Sequence, residues 1–494
     1  MTASEENNKT GGNGYRNILK GTSVFGGVQV FLILINLIRG KFVALFLGPE
    51  GMGISSLFSS AFNTIVRGSS LGLNLALVKE VSQNSDDRTR FGNVLAVVYR
   101  LMWVTALGGA IFCALFSRWL SQLTFHTPDY AWQFVLLAVA VFFTLAGGVR
   151  FALMQGLRQV RRISLSSLVG ALTGLVAGVP LYYFFGDKGI VPAIVVLSLT
   201  TFLFYYWNTR SLRTDVRFSW KEHRGMVRQF LALGFVLMAS DLIGTIGTYV
   251  LNIFLERVGG VDSVGLFQSA NSITSQYMGA VFAALSLEYF PRLSKVASDN
   301  ARMCDVVNRQ SLIVVLVMAP LAIAMILTAP LLIRLLLTDR FMPVLGLVRW
   351  MGLGIFLCAM QFPLGYISFA KNNKRVFFLL EGVLTNVLTI GGNMLSFYLW
   401  GLEGIGYSVV AVNLLSLGIY YVVNHRLYDY SFSGAVCREY LLGTLLCAAA
   451  LLASLRGEDV GVYLTMGGLC LLSVAYSIWR LRSLMKSDEN GNEG

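Results

Sequence analysis

Residues 22–47 read TSVFGGVQVFLILINLIRGKFVALFL, an apolar run broken among charged residues only by Arg39 and Lys41. A helix needs about 20 apolar residues to cross the hydrocarbon core of a bilayer. Outward from this run the same signature recurs. Fourteen stretches qualify: 22–47, 53–78, 92–116, 131–156, 163–185, 189–208, 229–255, 262–289, 311–337, 344–370, 376–399, 404–424, 439–455 and 460–479. Composition agrees, with 494 residues, 55% hydrophobic and only 13% charged, and a mean hydropathy of +0.65. A soluble domain carries about 25% charged residues. So little charge cannot cover the water-facing surface of the roughly three soluble domains this length would otherwise suggest. A soluble enzyme, a disordered chain and a secreted disulfide scaffold are excluded. The sequence predicts an all-α polytopic membrane protein of about fourteen transmembrane helices.

The net charge of +13 is distributed by loop. With the N-terminus inside, the cytoplasmic segments hold 27 of the 39 Lys and Arg. The outer loops hold five: Arg118, Lys188, Arg257, Arg340 and Arg456. The positive-inside rule then predicts an N-in, C-in orientation, and the basic balance implies no nucleic-acid partner. The longest basic segment, 211–228, is flanked by Arg210 and includes Arg213, Arg217, Lys221, Arg224 and Arg228 at helical spacing. It reads either as an interfacial helix obeying the same rule or as a face attracting anionic membrane lipids. The tail 1–19 is polar and lacks the features of a cleaved signal peptide. The six cysteines are scattered without a CxxC pair and the three histidines lie far apart, so no metal site or cofactor is expected.

An internal repeat divides the chain. Gly48-Pro49-Glu50-Gly51-Met52-Gly53-Ile54-Ser55-Ser56 follows the first span, and Gly260-Val261-Asp262-Ser263-Val264-Gly265-Leu266-Phe267-Gln268 follows the seventh, 212 residues later. Six spans intervene, an even number, so the halves repeat in parallel. The expected organisation is a polar cytoplasmic tail 1–19, a six-helix lobe 20–210, a basic linker 211–228, and a second six-helix lobe 229–425. An extra helix pair 439–479 and a cytoplasmic tail 480–494 follow.

Polar residues inside spans fall into stripes, and an ionisable residue at membrane depth is costly enough to suggest function. In span two, Ser56, Ser60, Asn63, Arg67, Ser70 and Asn74 recur at spacings of 4, 3, 4, 3 and 4. That stripe faces either a hydrated cavity or another helix's polar face. In span seven, Asp241, Thr245, Thr248, Asn252 and Glu256 form a stripe of opposite sign. Asp241 is either a proton carrier or half of an ion pair. In span one, Gln29, Asn36 and Arg39 share a stripe, and Lys41 lies about 200° round the helix from Arg39 unless Gly40 breaks it. The 212-residue offset maps the span-two stripe onto Gln268, Ser272, Ser275, Gly279 and Ser286 in span eight, replacing arginine by glycine. Glu288, near the inner end of span eight, is either a coupling group or a solvated end residue. The stripe Glu381, Thr385, Thr389, Asn393 and Ser396 in span eleven reads as inter-helix packing. Arginine matches phosphate oxygens bidentately, so Arg39 and Arg67 suit a phosphate or pyrophosphate. No phosphate loop, dinucleotide fingerprint or nucleophile–base pair appears, and the chain is not expected to be an enzyme.

The stretch Gly40-Lys41-Phe42-Val43-Ala44-Leu45-Phe46-Leu47-Gly48-Pro49-Glu50-Gly51-Met52-Gly53 resembles the first-helix signature of the Wzx-type polysaccharide flippases. These belong to the multidrug/oligosaccharidyl-lipid/polysaccharide exporter superfamily. Gly72-Leu73-Asn74-Leu75-Ala76-Leu77-Val78-Lys79-Glu80-Val81 is similar to that family's end of helix two. The resemblance implies a V-shaped cavity lined by helices 1, 2, 7 and 8 and alternating access. It implies transfer of an undecaprenyl-pyrophosphate-linked oligosaccharide from the inner to the outer leaflet of a bacterial inner membrane. The substrate would be an O-antigen, common-antigen or exopolysaccharide repeat unit, and the polysaccharide polymerase machinery a partner. Lys41 and Lys79 sit on matching motif positions; Arg39, Asn63, Arg67 and Asn74 rest on the stripes. Asp241, Asn252 and Glu288 are the coupling or gating candidates. Fourteen helices also resemble lipid II flippases of the same superfamily, and drug/cation antiporters are its third branch, for which an acidic, aromatic cavity would be expected, against which the basic first lobe argues.

Overall fold

Gly48 adopts φ 69° and ψ −164° inside what is otherwise one helix, α1, Ala3–Ser70. Only glycine reaches this backbone region without strain, so the chain reverses at a single residue and two spans run on without a loop. Gly260, its counterpart in the repeat, adopts φ 79° and ψ 170° inside α8, Trp220–Val296. The computed structural model describes residues 3–84, 88–212 and 219–491, excluding the side chains of 1–30 and of scattered residues that include Lys79, Asp241 and Glu288.

The elements between and after these are helical throughout. They are α2 Leu73–Asn84, α3 Arg88–Leu115, α4 Ser117–Phe125, α5 Ala131–Gly156, α6 Val160–Phe185 and α7 Ile190–Thr209. After α8 come α9 Asn300–Leu336, α10 Leu345–Ala370, α11 Lys374–Phe377, α12 Thr385–Tyr428, α13 Gly434–Ser454 and α14 Val460–Gly491. Among the described residues, nine stretches are long and apolar enough to cross a membrane. Three of these, Phe31–Ser70, Val160–Thr209 and Lys374–Tyr428, run for 40, 50 and 55 residues. Each is too long for one crossing and turns back at a glycine. Helix α8, 77 residues or about 115 Å at 1.5 Å per residue, is longer still. The protein is an all-α, multi-pass membrane protein, with fourteen α-helical segments among the described residues.

The chain forms two compact units, Met1–Ile253 and Phe254–Gly494. Within the first, α6 packs on α1 and α7, and α5 packs on α2, α3 and α7. Within the second, α10 packs on α9 and α12, while α13 and α14 both pack on α9. Cys447, Ala450, Leu451 and Met466 of this extra pair bury against Val315, Met318 and Ala322. The carboxylate of Glu439, buried in α13, accepts from Tyr476 Oη at 2.8 Å, Arg480 Nε at 3.2 Å and Arg438 Nη2 at 3.2 Å. A carboxylate with three donors is well compensated at this depth.

The repeat extends to the turns. Gly186 (φ 54°, ψ −133°) and Gly401 (φ 64°, ψ −149°) reverse the chain between spans five and six and between eleven and twelve. Three residues on, a Cβ at Gly189 would lie 2.2 Å from the Leu181 carbonyl oxygen, and one at Gly404 would lie 2.1 Å from that of Ser396. The turns at 157–159 and 371–373 match as well. Arg158 N–H donates to Gln155 and Gln159 N–H to Met154, just as Asn372 N–H donates to Phe369 and Asn373 N–H to Ser368.

Three local expectations change. Span two is not continuous: α1 ends at Ser70, Leu71 and Gly72 take φ of 49° and 63°, and α2 starts at Leu73. The cause is a close backbone crossing, since a Cβ at Gly72 would lie 2.0 Å from the Gly234 carbonyl oxygen. Helix α1 runs unbroken through Gly40; its one non-helical residue is Gly48. Span eleven begins with a π-helical turn, Phe378–Leu384, which shifts Glu381 relative to the rest of its stripe.

Candidate functional site

The polar stripe of span two lies in the first unit with span seven up to Ile253, and the two meet. Ser56 Oγ donates to Met52 O at 2.8 Å, Ser60 Oγ to Ser56 O at 2.7 Å and Thr64 Oγ1 to Ser60 O at 2.8 Å. These bonds satisfy the hydroxyls within their own helix. Asn252, 1% exposed, donates from Nδ2 to Ser60 Oγ at 2.6 Å. This links the two stripes the sequence singled out. An interhelical bond of this kind is worth about 0.6–2 kcal/mol in a bilayer. One turn further, Asn63 and Arg67 are exposed. The stripe thus has two parts: the Ser56–Ser60 end packs within the unit and the Asn63–Arg67 end is exposed.

Beyond the break at Leu71–Gly72, Asn74 leaves this face. Its side chain packs toward α5, where a Cβ at Gly148 would lie 3.1 Å from Asn74 Nδ2. Its register with Arg67 existed only for an uninterrupted helix. Arg39 is half-buried and acts electrostatically on Tyr182 of α6; Lys41 is half-buried on α1. The side chains of Lys79, Asp241 and Glu288 lie outside the described residues. In the second unit, Gln268 and Ser272 are half-buried and Ser275 and Gly279 exposed. In span eleven, Asn393 and Ser396 are buried, and a Cβ at Gly392 would meet Ser408 Oγ and Val412 Cγ2 at 2.8 Å.

A buried cation elsewhere in the first unit clarifies by contrast what Arg67 is. Arg150 of α5 is 8% exposed. Its guanidinium carbon lies 4.5 Å from the Tyr206 ring centroid, 5.6 Å from Tyr99 and 5.7 Å from Phe202, and Nη1 donates to Thr209 Oγ1 at 2.9 Å. Aromatic faces replace its hydration shell. Arg150 therefore ties α3, α5 and α7 together, whereas Arg67 is exposed and can reach a ligand. Sequence reasoning also missed α4 and its partner Tyr249, whose Oη lies 2.5 Å from Thr124 Oγ1. The available signal was Tyr249 itself, a phenol in an apolar span that needs a hydrogen-bond partner.

A twice-repeated helical membrane fold, with an exposed guanidinium on a polar helix face, defines a membrane transporter. The chain belongs to the family described as polysaccharide biosynthesis protein, whose model matches residues 42–345, more than half its length. The match begins within the stretch Gly40–Gly53. The lipid III flippase of Escherichia coli (strain K12) is 24% identical over 353 residues, 70% of this chain and 83% of that protein. The fold matches a solved structure of lipid II flippase MurJ in an inward closed conformation, with a TM-score of 0.72, 14% identity, and coverage of 93% of this chain and 99% of that one. It also matches an inward-facing multidrug resistance MATE family transporter of the MOP superfamily, with a TM-score of 0.67, 17% identity, and coverage of 82% and 96%. The two structural likenesses speak for the fold. These relatives are flippases and transporters, not enzymes.

Proposed function

We propose that this protein flips an undecaprenyl-pyrophosphate-linked oligosaccharide across the bacterial inner membrane, from the cytoplasmic to the outer leaflet, by alternating access. The observation that carries the reading is Arg67, an exposed guanidinium on a polar face inside a 40-residue apolar helical stretch. A diphosphate presents planar sets of anionic oxygens that a guanidinium meets with two parallel hydrogen bonds. Arg67 is the pyrophosphate contact, with Arg39 or Lys41 as the second cation and Lys79 at the inner end. Asn63 offers its amide to the glycan; Asn74, turned toward α5, takes no part. Asp241 and Glu288 serve as coupling groups, and Asn252 gates through its bond to Ser60. The name of the E. coli relative, a lipid III flippase, supports a lipid-linked substrate. The repeat unit would be an O-antigen, common-antigen or exopolysaccharide unit, handed to polysaccharide polymerase machinery. Both chain ends lie in the cytoplasm, where the basic loops meet anionic lipids.

The test is a deletion strain complemented by variants at matched protein levels, with the polyprenyl-linked fraction resolved by mass spectrometry. Wild type is expected to clear an accumulated undecaprenyl-pyrophosphate oligosaccharide. Arg67→Ala is expected to slow its export by about 10- to 100-fold, the worth of one charge-assisted contact. Arg67→Lys should recover part of that, because it restores charge without the bidentate fork. Full export by Arg67→Ala would refute the docking role, and loss of drug resistance without glycan accumulation would point to an antiporter.

A further inference from the structure

The second unit holds a cavity of about 470 Å³ that uses none of these residues. Its walls are aromatic: Phe282 of α8, Phe362, Tyr366 and Phe369 of α10, and Phe377 of α11. The rings form a connected array, with centroids 5.4 Å apart for Phe282–Phe362, 5.1 Å for Phe362–Tyr366 and 5.1 Å for Phe369–Phe377. Glu381 and Gln361 line it as well, as does the thiol-bearing Cys358. Gln361 is 7% exposed, and its Oε1 has no hydrogen-bond partner among the described residues. A buried acceptor left unmatched is costly and calls for a donor.

Glu381 is placed by two devices. It lies in the π-helical turn Phe378–Leu384, where Thr385 Oγ1 donates to Leu380 O at 2.9 Å. Such turns inside α-helices recur at functional sites. Its carboxylate rests in a notch at Gly365, where a Cβ would stand 2.5 Å from Glu381 Oε1. Among the described residues no cation pairs with it. The cavity therefore presents one carboxylate and one unmatched amide oxygen inside an aromatic box. A hard metal ion takes six or more oxygen ligands, which this wall does not supply. Aromatic faces and a single counter-charge suit a cation with an apolar body.

We propose that this cavity binds a protonated organic amine carrying an aromatic or branched apolar group. Glu381 is its counterion, Gln361 Oε1 accepts its N–H, and the rings enclose its body. The size matches the 300–1,000 Å³ typical of small-molecule sites.

The experiment uses the full chain in nanodiscs, with empty nanodiscs as reference. The probe is N,N-dimethylbenzylamine, protonated at neutral pH, followed by saturation-transfer NMR and calorimetry. Saturable binding to wild type is expected, with isobutylbenzene, the neutral molecule of the same shape, failing to compete. Glu381→Gln should weaken binding by about tenfold or more. Gly365→Ala, which keeps the charge but displaces it, should weaken it as well. Arg67→Ala should leave amine binding intact while impairing glycan export, which separates this site from the proposed substrate contact. Equal competition by the neutral molecule, or equal binding to wild type and Glu381→Gln, overturns the proposal. The competition arm needs no variant to fold.

Discussion

At the scale of single residues, charge and exposure together sort the polar groups. Arg150 and Arg67 both sit in apolar helices, yet one is wrapped by three rings and the other is exposed. Both arginines stand inside apolar runs of the sequence. It could not sort them, because Tyr99, Phe202 and Tyr206 come to Arg150 from other helices. Asp187, in the turn Gly186–Gly189, is a different case: burial raises its carboxyl pKa. Folding then strengthens proton binding, so the ionised form costs stability at neutral pH, and the cost fades as pH falls through the raised pKa. Asp187→Asn removes the ionisation. Its thermal midpoint in detergent should equal or slightly exceed that of wild type at neutral pH, with the difference vanishing in acid. The effect should be small, since the group is more than half exposed to solvent screening. A clearly lowered midpoint at neutral pH would show that the carboxylate makes a stabilising contact.

At the scale of elements, spans were legible because a bilayer demands long apolar runs, and stripes were legible because helical period aligns them. Departures from the period were not. The break at Leu71–Gly72 depends on a backbone far away in sequence, at Gly234. The π turn adds a residue to one helical turn without a distinctive composition. The reversing turns are the reverse case: GDKG at 186–189 and GLEG at 401–404 are short, yet both fix their last glycine against a carbonyl eight residues upstream. Gly189→Ala and Gly404→Ala should each cost about 3 kcal/mol, because the opposing atom is backbone and cannot swing away. Fluorescence-detected gel filtration after heating reads this out. Wild-type midpoints for both would mean that the turns relax.

At the scale of the molecule, the all-α multi-pass class was readable and the helix count roughly so, and so was the family, from residues 40–53 and 72–81. The boundary between the two compact units, at Ile253–Phe254, falls inside α8, where composition does not change. The orientation is open to direct test. On a background without native cysteines, Lys188→Cys should react with a membrane-impermeant maleimide in intact spheroplasts, and Lys374→Cys only after permeabilisation. Labelling of Lys374→Cys in sealed spheroplasts would reverse the proposed N-in, C-in topology.

The crossing of Gly72 and Gly234 bears on how the polypeptide can be divided. A gene split between codons 212 and 219 looks natural, because it cuts a basic stretch between two sets of six spans. It would nonetheless place the two glycines on separate products. The N-terminal fragment would enter the membrane with the Leu71 carbonyl deprived of its covering helix. Such halves should function only when translated together, each completing the other after insertion. A split that keeps Gly234 with the first fragment would preserve that contact in a single chain.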